Sequence, residues 1–119
     1  MVEIIIALQL TLIAPAQVID GDTLRLEGLD QTVRIWGIDA PERHDHGGSA
    51  ATKSLRAFIA HAPVRCDVKG RDRYDRYVAL CRAKNRDLAE YLLTSGHAKE
   101  WCRYSSGYYG HCPKNPEKG

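Results

Sequence analysis

Three short stretches of this chain hold residues whose types and spacing could do chemistry. Val-Ile-Asp-Gly-Asp-Thr-Leu-Arg-Leu, residues 18–26, sets Asp20 and Asp22 either side of one glycine at the tip of an apolar run. Arg-Ile-Trp-Gly-Ile-Asp-Ala-Pro-Glu, residues 34–42, sets Asp39 and Glu42 just past a β-branched, aromatic-rich segment that carries Arg34. Asp-Arg-Tyr-Asp-Arg, residues 72–76, supplies Tyr74 and Arg76. Two like charges one residue apart either cap a turn or hold a cation, since close carboxylates repel unless protonated or bridged. Asp39 and Glu42 make the cation the better account. In a hairpin the start of one strand lies beside the end of the next, which brings Asp22 to Asp39. Oxygen-only ligands suit a hard ion such as Ca²⁺ rather than zinc.

The elements that must position these residues can be read from pattern. Leu10 to Ile19, Thr23 to Leu29 and Thr32 to Ile38 read as strands, the last two as a hairpin around Gly28 to Gln31. Asp39 to Gly48 is a loop. Ser49 is the expected N-cap of a helix over residues 50–62, with Ala51, Leu55, Phe58, Ile59 and Ala62 on one stripe and Pro63 beyond it. Residues 64–69 and 77–82 form a strand pair around the turn Gly-Arg-Asp-Arg-Tyr-Asp-Arg. A second helix runs from about Asp87 to Ser95, with Leu88, Tyr91 and Leu92 inward and Gly96 at C′, and residues 97–102 make a last short strand. The expected fold is mainly β with α (α+β): a five-stranded OB-fold barrel with two flanking helices.

With 119 residues, 44% hydrophobic and 27% charged, the chain is one globular domain with one modest core. A formal charge of +2 permits a nucleic-acid partner without requiring one. The four cysteines show no C-x-x-C spacing, which leaves zinc weak and disulfides favoured, and with them an exported protein. Cys66 and Cys81 sit at similar distances either side of the turn, and Cys102 and Cys112 enclose a short loop. The expected bridges are therefore Cys66–Cys81 and Cys102–Cys112; four buried free thiols in a cytosolic protein are the alternative. Residues 1–16 are either a signal peptide, with an Ala-Pro-Ala site but Glu3 and no base before it, or the first barrel strand. The run is too short and interrupted to cross a membrane.

Taken in order, Val-Ile-Asp-Gly-Asp-Thr, Arg-Ile-Trp-Gly-Ile-Asp-Ala-Pro-Glu and Asp-Arg-Tyr-Asp-Arg resemble the thermonuclease family, the staphylococcal-nuclease-like phosphodiesterases. The resemblance covers residues 10–104 as the domain and leaves 105–119 as a disulfide-tied tail. It implies a calcium-dependent nuclease acting on DNA and RNA, preferably single-stranded, leaving 3′-phosphate ends. Asp22, Asp39 and the backbone carbonyl of Ala40 correspond to calcium ligands, and Asp20 to a carboxylate behind them. Glu42 corresponds to the general base, and Arg34 and Arg76 to the arginines on the scissile phosphate. Such roles suit the residue types: guanidinium forks match phosphate oxygens, and a carboxylate beside water contributes about 10²–10⁴-fold. Tyr74, inside the phosphate motif, is the residue expected to stack on a base.

The chain departs from the family at Asp75, where glycine is usual, and Asp75 could pair with Arg76 and blunt its grip. Its end, rich in Tyr, Gly and Pro, replaces a terminal helix. His44 and His46 on the loop read as solvated rather than as metal ligands. Expected partners are nucleic acids and no membrane, for a monomer in a secreted or periplasmic setting. The reading from another class is a non-catalytic OB-type module that binds single strands, which would have little reason to keep Asp22, Arg34, Asp39, Glu42 and Arg76 together.

Overall fold

Pro15 has no N–H to offer a ladder, and it splits the first apolar run in two. In the computed structural model, which describes residues 9–113, β1 (Thr11–Ala14) pairs antiparallel with β6 (Val64–Arg71), while β2 (Ala16–Asp20) pairs with β3 (Thr23–Leu26). The sheet runs β1-β6-β7-β4-β3-β2, with β4 at Val33–Ile35 and β7 at Tyr77–Ala83. One continuous stretch of chain thus supplies both edges and curls the sheet into a half-barrel. Counting β1 and β2 as one and setting aside a two-residue strand paired to β7 recovers the five expected, in a mixed α+β fold. Residues 1–8, part of the segment read as leader or strand, and residues 114–119 of the tail lie outside the described residues.

The segment read as one strand over residues 32–38 is two. β4 stops at Ile35, the chain turns at Trp36–Gly37, and β5 (Ile38–Asp39) pairs instead with β9 (Lys99–Glu100) in a small second sheet. Between β7 and β9 lie β8 (Arg86–Asp87) and α2 (Leu88–Thr94). The core joins Leu24, Val33 and Ile35 of the main sheet and Ile38 of the small one to Leu55 of α1 (Gly48–Ile59) and to Leu88 and Leu92 of α2. Cys66 and Cys81 face each other across β6 and β7 and are bridged inside this core.

Helix α1 spans Gly48–Ile59 and starts on Gly47, not Ser49. The loop before it forces this. Asp45 N–H donates to Glu42 C=O and Gly48 N–H to Asp45 C=O, folding the loop so tightly that a Cβ on Gly48 would lie 1.7 Å from Glu42 O. Only glycine fits there. Helix α2 is capped by Asp87, whose Oδ1 accepts from Ala89 and Glu90 N–H at 2.8 and 3.3 Å, and Gly96 follows it at φ 79° as expected. The tail holds a short helix that no periodicity announced, α3 (Cys102–Ser105), and the Cys102–Cys112 bridge closes it.

Candidate active site

Gly21 brings the first motif to its partners. A Cβ there would lie 2.8 Å from Ala40 Cβ and 2.9 Å from Ala51 Cβ, so the Asp20–Asp22 turn lies directly on the Ala40 methyl and on α1. Asp22 is buried. Its Oδ2 accepts from Ala40 N–H at 3.0 Å, Thr23 Oγ1 donates to its Oδ1 at 3.1 Å, and Asp22 N–H donates to Asp20 Oδ1 at 3.2 Å. The Asp20 side chain therefore does cap the turn locally, while the Asp22 carboxylate is aimed across at the second motif. Burial pushes the Asp22 carboxyl up to about 6; the charge of Arg34 and the Ala40 N–H offset this only in part, and Asp20 adds to it.

Arg34, also buried, sits opposite Thr23 in the β3–β4 register. Its guanidinium lies 3.5 Å from Asp22 and 3.8 Å from Asp39, and it donates to Ile35 C=O at 2.9 Å. One cation therefore spans two carboxylates of very different exposure, 11% for the Asp22 side chain and 70% for that of Asp39. The indole of Trp101 covers it, 5.3 Å from guanidinium carbon to ring centre.

Arg76 arrives from the β6–β7 hairpin, and its partner is not Asp75. Asp72 Oδ2 accepts from Arg76 Nε at 2.7 Å, while Asp72 Oδ1 accepts from the N–H groups of Tyr74 and Arg76 at 2.9 and 3.0 Å. Burial pushes the Asp72 carboxyl up, but those donors outweigh it and hold the group below the usual carboxylate range. Asp75 adopts φ 63°, the left-handed turn conformation glycine would take at no cost, and there its carboxylate pairs with Arg71. The turn thus points Asp75 away from the arginine it was expected to neutralise. Tyr74 is exposed, with Arg73 and Arg76 over its ring at 4.9 and 5.4 Å.

Asp20, Asp22, Arg34, Asp39, Ala40, Glu42, Arg76 and Trp101 all line one open cavity of about 350 Å³. Arg34, Arg76 and Trp101 also line a neighbouring trough of about 690 Å³, with Tyr74, Lys69 and Tyr104 along it. Every residue singled out for chemistry in the three motifs therefore reaches one connected surface. His44 and His46 are exposed on the loop and line neither hollow. The calcium implied by resemblance can be tested against the donors present. They are oxygen throughout, and Asp22, Asp39 and the Ala40 carbonyl suit a hard ion. Yet among the described residues no three His, Cys, Asp or Glu side chains cluster closely enough to hold a metal by themselves. The site offers two carboxylates and a backbone oxygen, with Arg34 balancing the carboxylates.

Sequence reasoning missed Asp72, which had a readable signal, an aspartate two residues before a turn amide. From the sequence Trp101 reads only as an aromatic able to stack on a base or to pack, because its cover of Arg34 depends on a tail whose folding has no periodic pattern.

The family model described as staphylococcal nuclease homologue matches residues 32–116, a span that holds Arg34, Asp39, Ala40, Glu42, Tyr74, Arg76 and all four cysteines, with Asp20 and Asp22 just before it. The chain is 36% identical over 110 residues to the succinoglycan biosynthesis protein ExoI of Rhizobium meliloti (strain 1021), covering 82% of this chain and 56% of that protein. It is 32% identical over 89 residues to an uncharacterized endonuclease of Haemophilus influenzae, covering 72% and 50%. With an uncharacterized endonuclease of Escherichia coli O157:H7 it shares 28% identity over 93 residues, covering 76% and 61%. The chain spans about half to three-fifths of the length of these relatives.

Proposed function

The chain belongs to the staphylococcal nuclease homologue family, and from that membership and this cavity we propose that it is a calcium-dependent nuclease, hydrolysing phosphodiester bonds of DNA and RNA to leave 3′-phosphate ends. The observation that carries the reading is the convergence of Arg34, Arg76, Glu42, Asp22 and Asp39 on one open cavity. A binding module has use for the arginines alone.

In this reading Arg34 and Arg76 grip the equatorial oxygens of the scissile phosphate, where forked donors stabilise the charge that builds in the transition state. Arg34 leaves Asp22 and Asp39 to do so, whereas Arg76, held by Asp72 through Nε, keeps its terminal N–H groups for the phosphate. Glu42, exposed at the cavity edge on the loop pinned by Gly48, accepts the proton of the attacking water. Asp22, Asp39 and the Ala40 carbonyl hold the cation, with Asp20 behind them. A calcium ion held there would supply Lewis-acid polarisation of a phosphoryl oxygen and would favour the charged form of the buried Asp22. Tyr74 stacks on a base beside the phosphate, which favours single strands over duplex and keeps sequence preference weak.

Residues 10–104 form the catalytic domain in this reading, and 105–119 its disulfide-tied tail. Both bridges suit an oxidising compartment, hence a secreted or periplasmic protein. Among the described residues no helix is long and apolar enough to cross a membrane. The protein acts as a monomer.

The test is digestion of single-stranded DNA and RNA by the oxidised protein, with Ca²⁺ or with chelator, beside Glu42→Gln. Cleavage should need Ca²⁺ and fall by about 10²–10⁴-fold in the variant, with Tm unchanged. Tight binding without cleavage under any condition overturns the enzyme and leaves the OB-type binding module.

A further inference from the structure

Glu100 is a buried charge with no part in the chemistry just described, and its side chain is spent on the tail. Ser105 Oγ donates to Oε2, as does Tyr109 N–H at 3.0 Å, while His111 N–H donates to Oε1 at 2.7 Å. Three donors from three points of the tail close on one carboxylate, and the Cys102–Cys112 bridge encircles them. The backbone of Glu100 meanwhile lies in β9, opposite Ile38, with Lys99 opposite Asp39. Trp101 N–H donates to Gly37 C=O at 2.8 Å, and the Tyr109 ring packs where a Cβ on Gly37 would be. The Tyr109 hydroxyl reaches Asp87 Oδ2 at 2.7 Å, tying the tail to the cap of α2.

The consequence falls on Asp39. β5 is two residues long, and among the described residues β9 is its only paired strand. Two residues make too short a strand to hold its conformation without a ladder partner, because the backbone entropy lost on ordering them is not offset otherwise. β9 is just as short, and what fixes it is the set of tail contacts gathered by Glu100. We infer that Glu100 is a positioning residue for the cation site: by tying the tail across β9 it fixes the backbone of Asp39 and Ala40, and so sets the affinity for Ca²⁺. The inference rests on the reading of Asp39 and Ala40 as cation ligands. Groups that orient ligands from behind typically contribute 10- to 100-fold to metal affinity.

The test is calorimetric titration of calcium chloride into the oxidised protein without substrate, comparing wild type, Glu100→Gln, Ser105→Ala and Ile59→Ala. In Glu100→Gln an amide NH₂ faces donors, so Ca²⁺ binding should weaken by about tenfold or more. Ser105→Ala removes one donor of the three and should weaken it less while staying folded. Ile59→Ala, in the α1 core, should lower Tm and leave Ca²⁺ affinity as in wild type. In digestion assays the half-saturating Ca²⁺ should rise for the first two variants, with KM for the strand unchanged. Equal affinity in wild type and both tail variants, an equal loss in Ile59→Ala, or a wild type that binds no Ca²⁺ overturns the inference. A wild type that binds Ca²⁺ and cuts nothing defeats the nuclease reading instead, and the binding comparison then decides Glu100 alone.

Discussion

Replacing Asp72 by Asn separates the charge of this residue from its shape. Asp72 accepts three hydrogen bonds, two from backbone N–H groups that set the turn and one from Arg76 Nε at 2.7 Å. Asn has one acceptor oxygen. If it keeps the turn, its NH₂ faces the Arg76 N–H, and the charge-assisted bond is lost. Such a bond is worth about 1.5–3 kcal/mol when well shielded. Side-chain exposures of 28% and 21% call for a discount toward the surface value, leaving about 1 kcal/mol, or about 4 °C in Tm for a chain of this size. The folded-state pKa of Asp72 is depressed, so its stabilisation is present above the unfolded value near pH 3.9 and lost as pH falls through the folded value. Thermal unfolding followed by circular dichroism should show the full gap between the two proteins at pH 7 and a closing gap below about pH 4. With Arg76 no longer held, kcat for strand cleavage should fall about tenfold. A gap that stays constant to pH 3 would show that geometry and not ionisation carries the effect. Unchanged kcat would show that Arg76 does not need its partner.

Two further outcomes follow from the hairpin it sits on. Asp75→Gly relieves the left-handed strain at φ 63° and gives up an exposed pair with Arg71, so urea unfolding should place it within about 1 kcal/mol of wild type, with cleavage undiminished. A large loss of activity would return Asp75 to the site. Removing the Cys66–Cys81 bridge by double alanine substitution opens a loop of separation 15, which should cost about 3 kcal/mol, and Ca²⁺ affinity should hold because neither cysteine lines the cavity.

What the sequence disclosed and what it hid divide along physical lines. Leu88 and Leu92 of α2 and the Cys66–Cys81 pairing were legible because helical and strand periods repeat over several residues, and repetition is what a pattern can be read from. The start of α1 was misplaced because a steric limit, the contact of Gly48 with Glu42 O, overrode the capping preference of Ser49. The strand over residues 32–38 was drawn too long because its end is set by a non-local event, the capture of Ile38–Asp39 by β9. Asp75 was assigned to its chain neighbour, whereas the turn it occupies swings it to Arg71, four residues back. The catalytic candidates themselves were visible as motifs. Of their supports, Asp72 acts within its own turn, whereas Trp101 and Glu100 are single residues whose roles exist only once distant backbone has arrived.

The tail clamp also gives the molecule a schedule. Residues 100–112 leave the ribosome after every other part of the site, and the Cys102–Cys112 bridge closes only where an oxidant is present. A chain still being made amid ribosomal RNA already carries Asp22, Arg34, Glu42 and Arg76, but not the strand that sets Asp39. If the chain is a secreted nuclease as proposed, its last turn of folding also completes the cation site, and it does so only where the tail bridge can close.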